Sequence, residues 1–106
     1  MKEVRKIPNF KITVLRVFTP KDVFGENLTR PDGSIVEPCH LKEGQEWITD
    51  GWKKPDDFCG WAWEDFRKDL YMLYFGGDIP DTPKGVVYTV CSDGKRPVCF
   101  KLERID

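Results

Sequence analysis

The sequence predicts an α+β fold, a small and mainly antiparallel sheet with one principal helix on a face and a C-terminal β-hairpin. Three observations predict it. Residues 10–18 (FKITVLRVF) alternate with the period of a strand, residues 60–75 carry apolar side chains at helical spacing, and residues 85–105 hold two β-branched or aromatic runs around SDGKRP.

In the first run Phe10, Ile12, Val14 and Phe18 share one face, and Lys11, Thr13, Leu15 and Val17 the other. Only Arg16 interrupts the first series, which predicts a strand with both faces at least partly covered. Residues 19–38 are rich in Pro, Gly, Asp and Asn and form an irregular excursion. Within it RPDGS is a turn, because Pro presets φ and Gly accepts positive φ, and residues 22–29 accommodate one short helical turn. In residues 39–58, KEG is a turn and QEWIT a short strand with Trp47 and Thr49 on one face, after which DGWKKPDDF leads to the helix.

In that helix Ala62, Phe66, Leu70 and Leu73 recur at i, i+4, i+8 and i+11, a buried stripe that Trp63 and Tyr74 widen. Glu64, Arg67 and Lys68 lie opposite, and a Glu64–Lys68 pair adds ~0.3 kcal/mol. Asp56 and Asp57 precede the helix, where negative charge suits its dipole, and Gly76-Gly77 stops it. Asp93-Gly94 marks the hairpin, with a loop of two residues or more. Val98, Phe100 and Leu102 share one face of its last strand; Cys99, Lys101 and Glu103 take the other. Parity leaves the inward face of residues 86–91 open.

With 106 residues the chain has the length of one domain, residues 1–106. Its 17 basic and 18 acidic residues are interspersed, so no basic stripe marks a nucleic-acid partner. MKEVRKIPNF is followed by no apolar h-region, and no apolar run approaches the ~20 residues that span a bilayer. A soluble, cytoplasmic protein is expected, with no membrane partner and with reduced cysteines. Reduced cysteines point to metal binding, redox chemistry or packing rather than disulfides.

Four cysteines (Cys39, Cys59, Cys91 and Cys99) and one histidine, His40, are present. No CxxC pair occurs, so a site must be assembled from a loop, a helix start and a hairpin. Cys99 shares its face with Lys101 and Glu103 and is the weakest member. Cys59 is the best candidate for an activated thiol, beside a helix N-terminus whose partial positive charge favours thiolate, although Asp56 and Asp57 oppose it. Its alternative role is apolar packing between Phe58 and Trp61.

Cys39, Cys59 and Cys91 with His40 match a Cys₃His zinc set by count, and an iron cluster or another thiophilic metal is the alternative. Adjacent side chains such as Cys39 and His40 tend to diverge, which disfavours both reaching one ion. No catalytic constellation is recognisable: G-x-S-x-G, a phosphate loop and H-E-x-x-H are all missing. Asp56-Asp57 reads as a helix-start bias, and Asp65 with Asp69 as a solvated face. Trp61, Trp63, Arg96 and Arg104 are candidates to line a ligand cleft. Core and rim packing is the alternative for the tryptophans, and a carboxylate near the C-terminus for Arg104.

The order of FKITVLR, a lone Cys before EGQEW, P-x-x-FC-x-WAW-x-D, GG and C-x-DG-x-RPV-x-F-x-LERI resembles a family of small, uncharacterised bacterial and archaeal proteins of about this size. The resemblance covers most of the chain and implies no particular activity. It implies cysteines at the positions of Cys39, Cys59 and Cys91, and more often an aliphatic residue at Cys99. Residues 22–38 depart from the pattern with a longer excursion.

Two functions are expected from these residues. One is a binding or accessory protein with a thiol-based site that holds zinc or iron or cycles its redox state. The other is a structural or interaction module with packing cysteines, whose aromatic surface meets a protein partner or a second copy.

Overall fold

The structure, a computed structural model, describes residues 6–105. Its elements are β1 (Asn9–Val17), α1 (Pro20–Phe24), β2 (Glu46–Thr49), α2 (Gly60–Tyr74), β3 (Val86–Val90) and β4 (Val98–Ile105). The strands form one sheet in the order β2-β1-β4-β3, antiparallel throughout. This is the predicted α+β architecture, with α2 on one face and β3–β4 as the C-terminal hairpin.

β1 follows the expected alternation only as far as Val14. Val14 pairs with Phe100 and Arg16 with Cys99, so Leu15 is an extra residue that bulges the strand. The bulge inverts the parity that follows. Arg16 turns outward to Glu43 at 3.3 Å, and Val17 packs on the core opposite Val98. The inward position expected for Phe18 therefore belongs to Val17, and Phe18 lies beyond the strand beneath the Arg16 guanidinium.

The second face of β1 is partly covered at Lys11 and Thr13, as expected. Lys11 stands 3.7 Å from both Glu46 and Glu103, and Lys101 3.6 Å from Glu103, an ion-paired ladder across that face. Such half-exposed pairs contribute no more than ~1 kcal/mol each.

The short helix starts at Pro20, earlier than the expected 22–29. Thr19 and Asp22 exchange side chain–backbone hydrogen bonds at 2.9 and 3.0 Å, a capping box, and Pro20 takes the first turn, where its missing N–H costs nothing. RPDGS turns as expected, with the Gly33 N–H donating to the Arg30 carbonyl at 2.9 Å. Arg30 then grips the Glu37 carboxylate with two bonds of 2.9 and 3.0 Å and fixes the approach to Cys39.

α2 buries Ala62, Trp63, Phe66, Leu70 and Leu73 against Phe10, Ile12, Phe100 and Leu102. Phe58, Phe66 and Phe100 meet ring to ring, with centroids 5.4–5.7 Å apart. Glu64 pairs with Arg67 at 3.8 Å and Lys68 with Asp69 at 3.2 Å, in place of the expected Glu64–Lys68 pair. Asp57 accepts from the Trp47 indole N–H at 2.9 Å and so anchors β2 to the approach to α2.

Arg104 also finds a partner other than a carboxylate near the C-terminus. It donates to the Leu73 and Gly77 carbonyls at 3.0 Å each and to Asp78 at 2.9 Å, closing the last turn of α2. No helix among the described residues is long and apolar enough to cross a membrane.

Candidate thiol site

Three separate segments bring a cysteine to one end of the sheet. Cys39 follows the 19–38 excursion, Cys59 is the N-cap of α2, and Cys91 follows β3. Pairing of Val87 with Leu102 and Thr89 with Phe100 settles the parity left open by sequence: Val87, Thr89 and then Cys91 face the helix side. Arg96 draws the first segment in, because its Nη1 donates to the Glu37 carbonyl at 2.9 Å.

Cys39, Cys59 and Cys91 line one cavity of about 30 Å³, floored by Leu41, Ala62, Val98 and Phe100. That is room for a single ion or a water or two, because about 10–15 Å³ on this measure holds one water. Beside it lies a cleft of about 320 Å³, lined by Glu37, Pro38, Cys39, His40, Cys59, Trp61, Asp93 and Arg96. Cys39 and Cys59 border both spaces, while Cys91 borders only the inner one. All four cysteines are partly buried free thiols.

Local hydrogen bonding fixes the walls. The Val98 N–H donates to Cys91 Sγ at 3.3 Å. Burial pushes the Cys91 thiol up, and the nearby charges of Asp93 and Cys39 add to this, against the opposing amides of Asp93 and Val98. Burial also pushes the Asp93 carboxyl up, but the Lys95 amide at 3.0 Å and Arg96 Nε at 3.2 Å outweigh it and hold it below its ordinary value.

Trp61 is half-exposed, yet its indole N–H donates to Ser92 Oγ at 2.6 Å. Ser92 in turn donates to Asp65 from its amide at 2.7 Å and its hydroxyl at 3.0 Å. Asp65 is thus the anchor between α2 and the 91–97 loop, where sequence suggested a solvated face.

The remaining candidates separate clearly. His40 is exposed and borders only the outer cleft, as its divergence from Cys39 suggested. Trp61 and Arg96 line the cleft, whereas Trp63 is 3% exposed and sits in the core against Phe58 and Phe66. Cys99 lies opposite Arg16 and Val90 on the other face of the sheet, as strand parity predicts. Among the described residues no three His, Cys, Asp or Glu side chains stand where they would hold a metal ion. The three thiols share a wall without forming an ion-holding cluster.

Sequence reasoning passed over Ser92, assigned Asp65 to a solvated face and took Asp93 only as a turn residue. The i, i+4 spacing of Trp61 and Asp65 was the one available signal, since it places both on one side of α2. Comparison of the chain with models of protein families, with curated proteins and with solved structures finds no match.

Proposed function

We propose that this protein is a small binding or accessory protein whose working part is the thiol-lined cavity, operating by thiol–disulfide exchange at its mouth. One observation carries the reading. Three reduced cysteines from distant segments border one cavity, with Cys39 and Cys59 also on the open cleft and Cys91 behind them. Packing alone gives no reason for three thiols to gather where a cleft meets the core, and exchange needs an accessible sulfur with a second sulfur in reach. The motifs that carry the family resemblance supply Cys59, Trp61, Asp65, Cys91, Asp93 and Arg96 to this one place, which supports counting the resemblance in the same proposal.

Mild oxidation followed by disulfide mapping tests the reading. A reversible disulfide joining two of Cys39, Cys59 and Cys91 is expected. Oxidation confined to Cys99 would remove it.

The size of the inner cavity and its soft donors favour a second reading, in which Cys39, Cys59 and Cys91 close around one thiophilic ion such as zinc or iron. Elemental analysis of anaerobically purified protein checks it. Stoichiometric metal, lost when the three are changed to serine, would support the ion. Metal retained by that variant would refute it.

A further inference from the structure

The outer cleft is an order of magnitude larger than the inner cavity, about 320 against 30 Å³, and falls within the range of small-molecule sites. Two features of its wall suggest what it takes. Trp61 is 55% exposed but cannot swing freely, because Ser92 and Asp65 hold its indole N–H. A large aromatic ring fixed in water is a ready packing surface. Arg96 is tied through Nε to Asp93 and through Nη1 to the Glu37 carbonyl, with the Glu37 carboxylate 3.8 Å from Nη1, while its Nη2 makes no hydrogen bond among the described residues. Arg30 and Arg96 face the two carboxylates Glu37 and Asp93, so the cluster balances in charge and what remains open is hydrogen-bonding capacity at Nη2. The free end of the guanidinium is therefore an unclaimed donor pair, suited to a carboxylate.

We infer that the cleft receives a low-molecular-weight disulfide bearing carboxylates, seated by Arg96 Nη2 against Trp61, which exchanges with Cys39 and is resolved by Cys91. This rests on the thiol-exchange reading and names its substrate class. The Cys39 thiolate, its proton released to solvent, attacks one sulfur of the disulfide. The S–S bond breaks, Cys39 forms a mixed disulfide, and the other half leaves as a thiolate. Cys91 then gives up its proton and attacks Cys39 Sγ, forming the Cys39–Cys91 disulfide and expelling the second thiolate. Two protein thiols are oxidised by two electrons while one small disulfide is reduced to two thiols.

The test reacts the reduced full-length protein anaerobically with oxidised glutathione and, separately, with the neutral bis(2-hydroxyethyl) disulfide. Each reaction is stopped by alkylation and mapped by mass spectrometry, with Cys99 on the far face as internal control. Cys99 should show only the intrinsic difference set by the acidity of the two leaving thiols, and Cys39 should favour the anionic disulfide about tenfold beyond that, the scale of one charge-assisted hydrogen bond partly open to water. Wild type should yield the Cys39–Cys91 disulfide, and Cys91→Ser should trap glutathione on Cys39. Arg96→Gln should lose the anionic preference, read as the ratio of the two rates so that any shift of the Cys39 segment cancels, and Arg96→Lys should keep part of it.

A preference at Cys39 in wild type no larger than the one at Cys99 would overturn the substrate class and leave thiol exchange standing. A mixed disulfide in wild type that Cys91 never resolves would overturn the second step. Reaction at Cys99 alone would overturn both the inference and the reading beneath it.

Discussion

Gly51 shows how a single residue can be fixed from two directions. Its φ of +88° lies in the left-handed region, and a Cβ there would stand 2.7 Å from the Phe10 ring, a residue with no exposed surface. Gly51→Ala should destabilise the fold by about 1–3 kcal/mol, through left-handed strain and displacement of Phe10, as read from the urea midpoint. Asp50-Gly51 opens the stretch that leads to the helix, but the ring above it belongs to a strand some forty positions away and is invisible in the sequence. Cys91 has a pH signature of its own. Burial raises its folded thiol above the ordinary value of 9.0, so the stability it contributes is full below 9.0 and is lost as pH rises through the raised value. Thermal melts should show wild type losing stability across that alkaline window, and Cys91→Ala should show a smaller loss.

Among the elements, α2 was the most legible, because its apolar stripe repeats with the helical period and Gly76 ends it at a φ of +88°. What fastens its two ends was not legible. At the start, Asp65 and Ser92 join α2 to the 91–97 loop. Asp65→Ala should cost about 1 kcal/mol, the ordinary worth of such a bond, and should lower amide-exchange protection at Ser92 and the fluorescence anisotropy contributed by Trp61. At the other end, Asp78 receives Arg104. The Gly85 amide at 2.7 Å holds the Asp78 carboxyl below its ordinary 3.8, desolvation opposes this, and Arg104 adds to the lowering. A lowered carboxyl contributes stability that is present above 3.8 and is lost as pH falls through the lower folded value. Asp78→Asn should therefore flatten the acid limb of the stability curve, with the difference from wild type shrinking below that window. β1 shows a different limit. Counting by twos put Phe18 inside and left Arg16 as an exception, and the Leu15 bulge removes the exception by shifting the count.

Across the whole molecule one aromatic cluster joins loop, helix and sheet, with Phe66 touching both Phe58 and Phe100. Phe66→Ala should cost about 3–5 kcal/mol in chemical denaturation, since it opens a cavity at the junction of all three. The thiol site sits at the edge of that cluster, and its cysteines are 20 and 32 positions apart in sequence, from Cys39 to Cys59 and from Cys59 to Cys91. Without a short ligand spacing, sequence offered three candidates and no assembly. By itself the sequence determined the α+β class, the helix and its buried face, the C-terminal hairpin, and the outward side of Cys99. Each of these follows from a local period, 3.6 or 2, that any reader of the chain can count. Only the tertiary structure decided that Cys39, Cys59 and Cys91 share a wall, that Trp61 borders the cleft, and that Arg96 reaches back to Glu37. Those facts depend on strand order, on one bulge and on side-chain hydrogen bonds between distant segments, and residue periodicity carries none of that information.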